Sequence, residues 1–155
     1  MFGTQGGKAA DSESLAVQAL AVPGLEGVSI LGGEPFEQPT AVADFCERVR
    51  AGGLSVMVYS GYTLPELHAM ESPDVDRLLK ATDLLVDGRY EKSIPEPRRR
   101  WIGSSNQQMH FLSGRYRKDD ERFARPNTVE LRWLDGQLTV NGWPSAADAL
   151  RKGAK

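Results

Sequence analysis

Apolar and polar positions follow two rhythms along this chain. Short runs rich in β-branched residues read as strands, and apolar residues at helical spacing read as helices. Val28–Leu31, Leu54–Tyr59 and Asp83–Val86 are of the first kind. They are largely apolar, the mark of strands buried on both faces of a parallel sheet. Asp11–Ala21 is of the second kind, with Leu15, Ala16, Ala19 and Leu20 on one face, Ser12 as N-cap and Pro23-Gly24 as stop. In Thr40–Ala51 the stripe is Val42, Phe45, Cys46 and Val49, and Gly52-Gly53 ends the helix. Leu64–Met70 and Asp74–Ala81 read as two helices around Pro73, with Val75, Leu78 and Leu79 as the apolar face of the second. Beyond them, Gln108–Leu112 reads as a strand and Gly114–Asn127 as an exposed charged loop or short helix. Thr128–Trp133 and Gln137–Val140 read as a hairpin turning at Asp135-Gly136. Residues 1–11 read as a loop, and the tail from Ser145 as a partly helical, frayed end. Strands alternating with helices predict an α/β fold with a largely parallel sheet.

Composition narrows this picture little. A chain of 155 residues is one domain, long enough for a real core. A formal charge of -2 gives no reason to expect nucleic acid as a partner. No apolar run approaches the roughly 20 residues that span a bilayer, so no membrane role is expected. The first residues lack the apolar core of a signal peptide. The single cysteine, Cys46, forms no internal disulfide, which fits a reducing cytoplasm.

Candidate chemistry collects where the strands end. After Val28–Leu31 come Gly32, Gly33, Glu34 and Pro35. Two glycines let the backbone turn sharply and approach a ligand, and the proline fixes the exit direction. In α/β folds this end of the strands is where ligands bind. Ser60 and Gly61 follow the second strand: the hydroxyl can bond a polar ligand edge, and the glycine keeps the approach open. The alternative is an ordinary strand-to-helix turn with Thr63 as N-cap. Asp87 ends the third strand, where a carboxylate points into the same cup and binds an ammonium or positions a substrate backbone. Its alternative is to cap the following loop. Cys46 reads as a small buried hydrophobe rather than a ligand or nucleophile. His68 has no second ligand at helical spacing and reads as a surface residue. His110 has a minor claim to function. Arg98-Arg99-Arg100 reads as a solvated loop contacting a protein partner rather than a phosphate or nucleic-acid patch.

The run Gly27–Gln38 resembles the GGEP segment of radical S-adenosylmethionine (SAM) enzymes. More narrowly, it is similar to the small activating enzymes that install glycyl radicals, such as the activator of anaerobic ribonucleotide reductase. Val56–Thr63, Asp83–Gly88 and Gly103-Ser104-Ser105-Asn106-Gln107 support the narrower match, in the family's order and near its spacing. The resemblance covers about residues 3 to 143. It implies a partial (β/α) barrel and reductive SAM cleavage by a [4Fe-4S] cluster, with a glycine radical then formed on a partner enzyme. Partners would be a glycyl radical enzyme such as anaerobic ribonucleotide reductase, and an electron donor protein. By resemblance Gly32, Gly33 and Glu34 hold the methionine amino group, and Ser60, Gly61 and Asp87 line the same pocket. Asp87 and Arg89 resemble an acid and cation two apart found in some relatives. The family binds its cluster through three cysteines spaced Cys-x3-Cys-x2-Cys, upstream of GGEP, and this chain has none there. The expectation is therefore a single, incomplete domain over residues 1–155, N-terminally truncated, with a C-terminal β-hairpin. It has no catalytic or metal-ligating residues of its own and is inactive as it stands. The alternative is a non-catalytic binding protein that keeps the scaffold for a partner or a nucleotide-like ligand.

Overall fold

Short polar side chains and prolines set where the helices begin. In a computed structural model, which describes residues 10–125, 129–134 and 137–142, helix α1 spans Ser12–Leu20. Asp11, not Ser12, is its N-cap: the Asp11 backbone is extended, and its carboxylate accepts from the Ser14 N–H at 2.8 Å. Helix α2, Pro39–Ala51, starts on a proline whose fixed φ suits the first helical position. Helix α3, Leu64–Ala69, opens with a capping box in which Thr63 and Glu66 satisfy each other's backbone N–H. Helix α4, Pro73–Lys80, is capped by Ser72.

Strands β1 (Gly27–Ile30), β2 (Ser55–Tyr59), β3 (Leu84–Asp87) and β4 (Gln108–Phe111) form one sheet in that spatial order. The first three are parallel, and β4 returns antiparallel beside β3. Alternation along the strands sends residues to two faces. Val56, Val58 and Leu85 pack with Ala16, Ala43, Cys46, Val49, Leu67 and Leu78 from the helices. Met57, Leu84 and Val86 face the other way, against Ile102, Phe111, Tyr116 and Phe123. All four helices therefore contribute to one layer, and the second face is covered by the segment after β3. A short helix α5, Glu121–Ala124, lies in that segment. A hairpin of β5 (Val129–Leu134) and β6 (Gln137–Gly142) follows, pairing Leu134 with Gln137. Its turn at Asp135-Gly136, the tail from Ser145 and most of the 1–11 loop lie outside the described residues.

The α/β class is the one expected, but the sheet does not close into a barrel. Its antiparallel fourth strand leaves β1 and β4 as edges among the described residues. Two further expectations need correction. β1 is half-buried rather than buried, because it has a neighbour on one side only among the described residues and Ser29 on its second face is exposed. Leu31 lies beyond the last paired residue, Ile30, and is 65% exposed. Gly32 and Gly33 both take positive φ, 84° and 58°, and this turns the chain off the sheet at that point. Among the described residues no helix is long and apolar enough to cross a membrane.

Candidate functional site

Parallel pairing brings three strand ends to one side of the sheet. β1 runs out into Gly32-Gly33-Glu34, β2 into Ser60-Gly61, and β3 into Gly88-Arg89. Glu34 ties the first two together. Its Oε1 accepts from the Ser60 hydroxyl at 2.9 Å and the Phe36 N–H at 3.1 Å, and its Oε2 accepts from the Gly61 N–H at 2.8 Å. The Ser60 hydroxyl in turn accepts from the Tyr62 N–H at 3.0 Å. The second loop is laced to β3 through its backbone: the Ser60 N–H donates to the Val86 carbonyl and the Gly88 N–H to the Tyr62 carbonyl. Glu34, Ser60 and Gly61 thus form a brace whose polar groups meet one another. Gly32 and Gly33 stand apart from it. A Cβ added at either would meet nothing within 4 Å, so their backbone faces open space.

Asp87 is buried, and its carboxylate faces α3. Oδ2 accepts from the Leu64 N–H at 2.7 Å, capping the first turn of that helix, and lies 2.9 Å from His110 Nε2. His110 enters this arrangement because β4 pairs it with Leu85, two residues before Asp87 on the same face. Sequence spacing gave no sign of that neighbour, since 23 residues separate the two. Arg89 is exposed, and its Cγ lies 3.8 Å from where a Cβ would stand on Gly61. The Thr63 N–H and hydroxyl hold the Glu66 carboxyl below its ordinary range, and the charge of Arg89 adds to that effect. Among the described residues Arg89 forms no ion pair. The site thus carries an open glycine pair just before Glu34 and an exposed cation packed against Gly61.

The remaining candidates fall elsewhere. Cys46 is fully buried in α2, and burial pushes its thiol up to about 12. His68 is exposed. Arg99 is no free surface cation: it bonds Glu96 and the carbonyls of Ser105 and Gln107. Among the described residues no three His, Cys, Asp or Glu side chains gather as metal ligands. A cavity of about 750 Å³ lies on the sheet face opposite α1–α4, lined in part by Glu121, Arg122 and Phe123 of α5. Its walls include Gly27, Ser55 and Leu84, the first residues of their strands, and none of the six site residues.

A family model described as a 4Fe-4S single cluster domain matches residues 4–110. The chain belongs to that family. Among curated proteins, the anaerobic ribonucleoside-triphosphate reductase-activating protein of Escherichia coli (strain K12) is 37% identical over 92 residues, 56% of either chain. That of Salmonella typhimurium is 36% identical over 92 residues, again 56% of either chain. That of Enterobacteria phage T4 is 26% identical over 89 residues, 55% of this chain and 53% of its own. The chain spans about half the length of the curated relatives it matches. No solved structure matches it. The resemblance drawn from the GGEP run and its companion motifs is thus supported by relatives named as reductase activators. A single cluster of the 4Fe-4S kind is held by cysteine thiolates. This 4Fe-4S single cluster domain chain offers one cysteine, inside a helix-to-sheet core and protonated at neutral pH. Its own residues do not fit the cluster.

Proposed function

We propose that this chain is a radical SAM activating protein of the glycyl-radical type whose residues supply the SAM-binding cup and not the cluster. Its partner class is a glycyl radical enzyme such as anaerobic ribonucleotide reductase, with an electron donor protein, in the cytoplasm. The observation that carries the reading is the Glu34 brace, which joins the open Gly32-Gly33 turn that precedes it to Gly61, against which Arg89 packs. Backbone carbonyls of a glycine turn suit an ammonium, and a guanidinium suits a carboxylate. Together they match the amino-acid end of SAM. In this reading Glu34, Ser60 and Gly61 hold the cup's shape, and Asp87 fixes α3 beneath it. The electron for reductive SAM cleavage would have to come from a cluster that this chain's residues do not hold. With one cysteine, this 155-residue chain is inactive alone.

Anaerobic iron-sulfur reconstitution followed by calorimetric titration with SAM tests the proposal. The expected result is SAM binding without iron uptake or SAM cleavage. A stable cluster on this chain would overturn the reading of its cysteine. Absence of SAM binding would overturn the reading of its cup. A second reading, a non-catalytic binding protein, is favoured by the same cysteine count. It predicts that adenosine binds as well as SAM, whereas a cup built for the amino acid favours SAM.

A further inference from the structure

The Gly103–Gln107 stretch is the one sequence motif that the cup leaves unexplained. It lies along the segment that leaves β3 and meets it residue by residue. Gln107, buried, donates from Nε2 to the Gly88 carbonyl at 2.8 Å. Asn106 donates from Nδ2 to the Arg89 carbonyl at 2.7 Å. Gly103 faces the ring of Tyr90, where an added Cβ would stand 2.9 Å from Cδ2. Ser104, fully buried, accepts at Oγ from the Glu91 N–H at 3.0 Å. Gly88, Arg89 and Glu91 are each bonded by a different residue of the loop, and the Tyr90 ring lies against Gly103.

The loop is fastened in its own right. Gln107 Oε1 accepts from the N–H groups of Gly103 and Ser104 at 3.0 and 3.2 Å. Arg99 donates to the Ser105 and Gln107 carbonyls at 2.8 Å each, and its Nε donates to the buried Glu96 at 2.6 Å. Such density is more than satisfaction of the backbone requires. Arg89 and Asn106 are exposed, and water would satisfy the Arg89 carbonyl as well as Asn106 does. What the bonds add is fixity, because a backbone tied at successive residues loses its alternative conformations. Within this segment it is Arg89 that packs beside Gly61 at the cup.

The geometry points to Gly103–Gln107 as a clamp that positions Arg89 for the carboxylate of an amino-acid ligand. Asn106 and Gln107 are its positioning residues. This deepens the reading of the cup and rests on it. A planar guanidinium binds a carboxylate through two parallel bonds, so its orientation matters as well as its charge.

The test is a double-mutant cycle on the full chain, with SAM and adenosine as probes. Asn106→Ala weakens SAM binding about five-fold, the size of one net hydrogen bond. It leaves adenosine, which has no carboxylate, unchanged. In an Arg89→Ala background the same substitution has no further effect on SAM. Amide exchange, read without ligand, rises at Gly88 and Glu91, whose N–H groups are bonded, in Asn106→Ala and at Glu91 in Ser104→Ala. Unchanged SAM affinity in Asn106→Ala, equal losses for SAM and adenosine, or an undiminished loss without Arg89 would overturn the clamp. If the wild-type chain binds no SAM, the reading of the cup fails on its own. The clamp is then judged by exchange at Gly88 and Glu91 and by the Arg89 Nε–H resonance. Faster exchange and an averaged resonance in Asn106→Ala support it, and no change in either overturns it.

Discussion

Glu34 carries three hydrogen bonds on one carboxylate, from Ser60, Gly61 and Phe36. Bonds to a charged acceptor are stronger than neutral ones, but folding exchanges them for water, so the net effect is far below their sum. Glu34→Gln keeps the shape, removes the charge and turns an N–H2 either toward Gly61 or toward Ser60 and Phe36. We expect a loss of about 2 kcal/mol in urea unfolding, with the slope unchanged. A loss near zero would mean that water replaces the brace without cost. Sequence reading gathered Gly32, Gly33, Glu34, Ser60, Gly61 and Asp87 at one site; in the structure Glu34, Ser60 and Gly61 bond one another, Gly32 and Gly33 face open space, and Asp87 caps α3. It assigned Glu34 and Ser60 to the ligand, and here they bond each other. That pairing spans 26 residues and leaves no local trace in the chain. Thr63 shows the opposite case: its partner Glu66 is three residues on, and the cap was legible.

Elements add a different constraint, the space between them. Gly27 and Gly33 look alike in sequence and differ in surroundings. A Cβ on Gly27 would fall 1.9 Å from Ser55 Oγ and 2.6 Å from the Ser55 carbonyl, which is backbone of the neighbouring strand. Gly27→Ala must therefore push β1 from β2, at a cost of about 2–3 kcal/mol. Gly33→Ala meets nothing but takes a residue with a side chain to φ 58°, worth about 1 kcal/mol. Thermal unfolding of the pair separates the two, and the reverse order would refute the register of β1 on β2. Acid should act on the clamp. Burial pulls Glu96 up, but bonds from the Arg98 and Arg99 N–H groups and the Arg99 side chain more than offset this, leaving its carboxyl below the usual value. A carboxyl lowered in the fold contributes stability above its unfolded pKa and loses it as pH falls through its folded value. The Arg98 and Arg99 amide resonances should hold down to about pH 4.5 and shift below it. Helices and strands were legible from period, proline and glycine. The Glu96–Arg99 tie was not, because a charged run reads as solvent-facing unless its partner is known.

At the scale of the whole molecule one buried charge joins the layers. Asp83 is 1% exposed, just before β3. Its Oδ2 accepts from the Val56 N–H at 2.8 Å, reaching β2, and its Oδ1 accepts from the Ser113 hydroxyl at 2.6 Å, beyond β4. Arg50 of α2 lies 3.2 Å from Oδ1 and also donates to the Lys80 carbonyl at the end of α4. One carboxylate thus connects two helices and three strands around the core. Sequence reading took Asp83 for the first residue of a strand, since nothing in Asp-Leu-Leu-Val tells a core anchor from a surface acid. Asp83→Ala leaves the Val56 N–H unpaired in the interior, an uncompensated desolvation. Arg50 fares better, because its side chain is 33% exposed and can turn to water. The expected cost is therefore near the low end for a broken buried pair, about 3 kcal/mol. Asp83→Asn keeps an acceptor for Val56 and loses only the charge, so it should cost about half as much. Both are read as shifts of the urea midpoint. If the two substitutions cost the same, the charge rather than the Val56 bond holds the layers together. If neither shifts the midpoint, the sheet is held by apolar packing alone, and Asp83 is only tolerated there.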